Sequence, residues 1–283
     1  MHFLKIKFLL PILLLPAFIL FGDHPDDVIS CEEENISSLC ETTGSVHFHK
    51  ANTISFGPEV YRVTRDRSGG AKQKGNSAGI RVNYDRIKRY HFYLGAQLFY
   101  GTGILRGHTS IGDKIRSRLT EKMIEGNAGY TFQAKCFPHI SFTPFVGYGY
   151  FRDVNKFSPP TNLQITFTTQ FRYLSFGFLS NFYVLPCITI GLNGRFKWPW
   201  ETRCKVTNDP DFDTIRQIVK DKLQYRIEVP ITYFGCFLRD NFELSFTPFY
   251  ERRLYGAREN FPFDFYRTEF TLYGANVQMI YRF

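Results

Sequence analysis

Residues 266–283 read YRTEFTLYGANVQMIYRF, and this stretch decides the fold. Counting back from the end, Phe283, Tyr281, Met279, Val277, Ala275 and Tyr273 occupy alternate positions. Arg282, Ile280, Gln278, Asn276 and Gly274 lie between them. A period of two belongs to a strand whose two faces meet different surroundings. One face here is apolar and carries aromatics near its end, while the other is mostly polar or small. A strand of a membrane barrel has this form, with its apolar face toward lipid and aromatic rings at the interface.

The bulk composition agrees. The chain has 283 residues, a net charge of +9 and 18% aromatics, including 31 Phe and 17 Tyr. That is more ring than one soluble core needs. Beyond the first residues, no apolar run reaches the ~20 residues of a spanning helix. High aromatic content without such a run is what alternating lipid-facing strands produce.

Alternation recurs along the chain from Ala51. Ile54, Phe56, Pro58 and Val60 mark one strand; Tyr90 to Tyr100, Ile140 to Tyr150 and Leu223 to Tyr233 are others. Ten such segments are found, which predicts an all-β, antiparallel up-and-down transmembrane barrel, with eight or twelve strands as alternatives. Short connections near Lys88, Lys135–His139, Leu185 and Gly235–Asp240 alternate with long ones at Thr64–Asn76, Leu105–Thr120, Asp153–Phe167, Pro199–Asp221 and Arg253–Phe265. Short periplasmic turns and long outer loops are the asymmetry of this architecture. Asp209-Pro210 before Ile215, Ile218 and Val219 predicts a short loop helix. Arg172, Arg195, Lys197, Arg226, Glu228 and Glu243 are assigned to the lumen, where they either favour anions in a small pore or pair into a plug.

The N-terminus reads as export apparatus. Residues 1–22 carry a short basic start and FLLPILLLPAFILF, a signal peptide expected to be cleaved after Gly22. Residues 23–50 form an acidic segment without alternation, expected in the periplasm, and residues 51–283 the barrel. His47 and His49 lack a third ligand nearby, so neither metal nor cofactor is expected.

At the C-terminus, Tyr281 and Phe283 give the chain a resemblance to bacterial outer-membrane β-barrel proteins, in which such an aromatic pair is the mark read by the barrel-assembly machinery. The resemblance implies integral placement in a bacterial outer membrane among lipid and lipopolysaccharide. Six cysteines extend it. Cys136, Cys187 and Cys236 fall at predicted periplasmic turns, and Cys31 and Cys40 precede the barrel on the same side, making these five the disulfide candidates; Cys204 is expected to face outward. This usage resembles the cysteine-bearing envelope barrels of chlamydiae and their relatives, including the Protochlamydia outer membrane protein family. It implies an envelope role with other cysteine-containing envelope proteins as possible partners.

Three activities are open at this level. An envelope-structural role with small porin activity comes first. A surface adhesin is the alternative: Arg65, Arg67, Lys72, Lys74, Arg106, Lys114, Arg116 and Arg118 fall in the first two outer loops and form one basic field for acidic polysaccharide. Enzymatic activity is not expected. Barrels resembling the omptin proteases carry Asp-x-Asp and Asp-x-His pairs, and the chain holds only Asp211-Phe212-Asp213, with His108 lacking a carboxylate neighbour in sequence. Export argues against nucleic acid as a partner.

Overall fold

The computed structural model describes residues 51–134, 137–162, 164–185, 187–234, 241–258 and 264–283. The predicted signal peptide, the acidic segment and Cys31, Cys40, Cys136 and Cys236 lie outside them. The strands are β1 (Asn52–Arg67), β2 (Lys72–Arg86), β3 (Phe92–His108), β4 (Lys114–Tyr130), β5 (Phe132–Ala134), β6 (Phe137–Ser158), β7 (Thr166–Leu185), β8 (Ile188–Gly191), β9 (Asn193–Asp209), β10 (Asp213–Ile218), β11 (Gln224–Glu228), β12 (Ile231–Phe234), β13 (Phe242–Tyr255) and β14 (Thr268–Arg282). They make a closed antiparallel barrel with ten wall positions, because β4–β5, β8–β9 and β10–β12 continue one another. The wall closes where β1 pairs with β14, from Thr53 opposite Arg282 to Arg67 opposite Thr268. Closure pairs both sides of the lower wall, while at the top β10 pairs with β9 alone among the described residues. Both ends of the barrel chain meet at one rim, where Phe283 N–H donates to the Asn52 carbonyl at 2.9 Å. This rim is called lower below.

In the lower two-thirds of the wall the apolar residues point outward. Phe92, Leu94, Leu98, Tyr100, Val146, Tyr148, Leu174, Trp198, Phe246 and Tyr273 are all exposed on the outer surface. Rings gather at two levels. Phe92, Tyr130, Phe132 and the stacked pair Tyr281–Phe283 form the lower girdle. Tyr100, Tyr148, Trp200, Tyr225 and Tyr250 form the upper one. The two girdles stand about eight residues apart on β3. That is ~27 Å along the strand and ~20 Å perpendicular to the membrane at a ~40° tilt, close to the ~25 Å apolar band of such barrels.

The strands do not stop at the upper girdle. β6 has 22 residues, about 70 Å of chain and about 55 Å of height at that tilt, roughly twice the band. Above the band the polarity of the wall inverts. Val63, Leu105, Ile115, Leu119, Phe157, Phe167, Val206 and Ile215 face inward and are buried, while the alternate positions carry Lys and Arg facing out. The barrel there is built like a water-soluble one, because both its outer face and its rim meet water.

This overshoot corrects the loop assignments. The predicted long connections are mostly strand: β1 and β2 meet across residues 68–71, and β3 and β4 across residues 109–113. The predicted loop helix is the β9–β10 hairpin instead. Asp209 does cap the turn, its Oδ1 accepting from the N–H groups of Asp211 and Phe212 at 3.1 and 3.2 Å, but the chain then pairs back along β9.

Candidate functional site

At mid-height the lumen is crossed by one ion-pair network. Glu59 on β1 accepts from Arg81 Nε on β2 at 2.7 Å and from Arg226 Nη2 on β11 at 2.9 Å. Arg226 also donates to Glu228 at 2.7 Å and Glu251 at 3.1 Å. Glu251 on β13 receives Lys197 Nζ from β9 at 3.1 Å and Arg253 Nε at 2.8 Å. Arg253 continues to Glu121 on β4, which also takes the Tyr61 hydroxyl. Beside this chain, Arg195 pairs with Glu125 at 3.2 Å, and the Tyr173 hydroxyl reaches Glu125 at 2.7 Å. Arg81, Arg195, Lys197, Arg226 and Arg253 face Glu59, Glu121, Glu125, Glu228 and Glu251, so the charges balance. Buried charges persist only when paired and hydrogen-bonded in this way.

Rings seal what the charges leave. Phe99, Phe151, Phe171, Tyr173, Phe249 and Tyr255 pack with Leu105, Leu119 and Leu272 in one buried cluster that begins within the network, where Phe99 stands opposite Arg81 and Phe249 opposite Glu228, and extends above it. The cations stack on it: Arg226 lies 3.7 Å from the Phe249 centroid and Arg253 4.7 Å from that of Phe151. Inward glycines such as Gly101 and Gly149 do not leave open space. A Cβ at Gly101 would meet the Phe99 ring and the Tyr61 hydroxyl, and one at Gly149 the Tyr173 ring. Below the network the lumen opens as a polar vestibule of about 240 Å³, lined by residues such as Ser55, Asn83, Thr189, Ser245 and Gln278. Refolded protein in a planar bilayer is therefore expected to pass no resolvable current. Steady single-channel steps would show a water path through the ion-pair layer.

The structure places Arg195, Lys197, Arg226 and Glu228 together in this layer, and Glu243 at the lower rim, paired with Arg282 at 2.8 Å. Arg172 does not belong to the lumen. It shares parity with Leu174 and Phe176, stands exposed on the outer surface, and pairs in register with Tyr150 and Trp200 at the upper girdle. Glu121, Arg253 and Tyr173 complete the network without having been assigned to it. Their parity on β4, β13 and β7 was the available signal.

The basic field divides. Arg65 and Arg67 continue the inward parity of Glu59, Tyr61 and Val63, so they lie inside the upper lumen, correcting their placement on an outer loop. Lys72, Lys74, Arg106, Lys114, Arg116 and Arg118 are on strands, facing out. Cys204, expected to face outward, is buried among Phe167, Val206 and Ile215, its thiol 3.9 Å from Thr169 Oγ1. Cys187 lies at the lower rim, its carbonyl accepting from Phe234 N–H at 2.9 Å.

The outward cations form a belt that begins at the upper girdle, where Lys122 Nζ lies 5.6 Å from the Tyr100 ring centroid, and continues above it. In register, Lys74 opposes Arg106 and Arg106 opposes Arg116. Arg118 opposes Lys156, and Lys122 opposes Arg152. Like charges directly across strands, with Cβ atoms ~5 Å apart, destabilise a sheet. Among the described residues none of these seven forms an ion pair, whereas the outward carboxylates Asp66, Glu201 and Glu269 pair with other cations. The β2–β3–β4–β6 flank is thus an uncompensated positive surface at and above an aromatic girdle.

Comparisons with known proteins place the fold. No family model matches the chain, and no curated protein does. Solved structures do. The outer membrane protease OmpT from Escherichia coli aligns over 82% of this chain and 96% of its own at TM-score 0.51 and 14% identity. The fold is that of bacterial outer-membrane barrels. The translocator domain of the autotransporter NalP from Neisseria meningitidis aligns over 87% of this chain and 94% of its own, with TM-score 0.45 and 12% identity. Neisserial surface protein A aligns over 82% and 97%, with TM-score 0.30 and 12% identity. The exclusion of an enzyme is overturned by the first of these: a protease is built on this architecture, so the barrel gives no ground for excluding catalysis. At 14% identity the likeness speaks for the fold alone.

Proposed function

We propose that this barrel is a structural component of the outer membrane that holds the phosphate-bearing glycolipid of the outer leaflet against its cationic flank. The carrying observation is the set of unpaired like charges facing one another across β2, β3, β4 and β6. Such a surface stays costly until polyanions sit between the cations, and phosphates at headgroup height supply them. The filled lumen supports a structural role over conduction. The upper girdle sits where acyl chains end, which puts the belt at headgroup depth if the lower rim, with Tyr281 and Phe283 offered to the assembly machinery, lies in the periplasm. A likeness in role to the cysteine-bearing chlamydial-type envelope barrels belongs to this reading, with Cys187 at the rim where envelope partners would meet it.

The test compares unfolding of the refolded barrel in bilayers with and without lipopolysaccharide. Occupancy at a hundredfold excess over Kd stabilises by about 2.7 kcal/mol. The triple substitution Arg106→Gln, Arg116→Gln, Lys122→Gln is expected to lose most of that gain, and an undiminished gain would sink the proposal. A second reading, adhesion to acidic polysaccharide, draws on Lys72, His108 and Lys114, which face one another at the strand tips. Heparin retention that survives the triple substitution but fails on neutralising the two lysines would favour it.

A further inference from the structure

A second cavity lies at the upper end of the lumen, apart from both the ion-pair layer and the outer belt. It is small, about 30 Å³, and its polar lining includes Arg65, Arg67, Asp153, Asn155, Cys204 and Thr268. The two arginines are not spent on carboxylates. Arg65, 6% exposed, donates one Nη1 bond to Gln73 at 2.8 Å, and its Nε has no partner. The Arg67 Nε is likewise buried and unpartnered. Both guanidinium planes rest on one ring, 5.8 and 5.1 Å from the Phe167 centroid, which holds the two cations side by side. Among the described residues neither forms an ion pair.

Asn155, 2% exposed, has neither its Oδ1 nor its Nδ2 bonded. Among the described residues Asp153 is the one carboxylate of the lining, and the Tyr255 hydroxyl holds it at 2.9 Å. Two cations against one carboxylate leave one positive charge uncompensated in a buried site. Buried polar groups are otherwise almost always satisfied, so idle donors converging on a cavity mark a place for an acceptor.

We propose that this cavity binds the carboxylate group of a small organic acid. Charge balance calls for a single negative charge. Size calls for two oxygens, since about 10–15 Å³ of such space holds one water-sized group. Geometry calls for a planar acceptor, because a guanidinium edge matches the two oxygens of a carboxylate. The Asn155 amide supplies a further donor. The site rests on these inward residues and is independent of the glycolipid reading.

Cys204 lines the same cavity and reports on it. In the full chain refolded in detergent, its modification by methyl methanethiosulfonate is followed by peptide mass spectrometry, with sodium acetate, sodium phosphate or sodium chloride at matched ionic strength. Acetate at ten times its Kd is expected to slow the reaction about tenfold, as occupancy leaves roughly a tenth of the sites open. Chloride is expected not to. Arg67→Gln and Asn155→Leu should each abolish the protection while the protein keeps the migration of a folded barrel. Should either variant fail to fold, the wild-type comparison still decides. Equal rates in acetate and chloride overturn the proposal, and protection by phosphate as strong as by acetate overturns the carboxylate assignment.

Discussion

Arg226→Met is expected to cost the barrel about 3–5 kcal/mol, the range for removing one partner of a buried ion pair. Arg226 is 2% exposed and serves three carboxylates, Glu59, Glu228 and Glu251. Methionine keeps most of its packing against Phe249 but leaves those carboxylates short of positive charge. Glu59 retains Arg81, and Glu251 retains Lys197 and Arg253. Glu228 is left with no partner as close, so adding Glu228→Gln to Arg226→Met should recover part of the loss. Denaturant unfolding in micelles, followed by aromatic fluorescence, measures both. A loss below about 1 kcal/mol would mean that water solvates the network as freely as an exposed pair.

Val146→Arg is the second large effect. Val146 is 61% exposed, midway between Phe142 and Tyr150 on the outer face of β6. In a bilayer an arginine there should destabilise by about 2–4 kcal/mol, because it is set against acyl chains at the midplane. Asn76→Arg, on the same face but above the upper girdle, should cost about 0–1 kcal/mol. On a water-facing wall the two substitutions would be alike, each within about 0.5 kcal/mol of neutral. Equal effects in bilayers would therefore remove the membrane assignment itself.

These two experiments bear on the parts of the molecule that were unequally legible in the sequence. Outward alternation in the lipid band was plain, because acyl chains on one side and a charged interior on the other give the strongest contrast two faces of a strand can have. The wall above the band was misread as loop. There Leu105, Ile115 and Leu119 alternate with Arg106, Arg116 and Arg118 just as regularly, but with the opposite sense, because the apolar set turns inward where the outer face leaves the lipid. Arg172 went astray for a different reason: its charge suggested the lumen while its parity with Leu174 demanded the outside, and parity wins because a strand cannot turn one side chain over without a bulge. Parity and charge put Arg195, Lys197, Arg226 and Glu228 in the lumen, with an ion-pair plug as one outcome, but which cation meets which carboxylate was beyond the sequence. Glu59 and Arg226 are 167 residues apart, and only closure of the wall brings them face to face.

The overshooting strands carry one more implication, for digestion of the folded barrel. The chain offers trypsin 35 lysines and arginines, many of them displayed on the flank above the bilayer. Cleavage needs several consecutive residues to leave their partners and lie extended in the enzyme's cleft, and a paired wall releases them only by opening locally. With turns as short as residues 68–71 and 109–113, that part of the barrel stands as a stiff parapet that is rich in cut sites yet presents few of them.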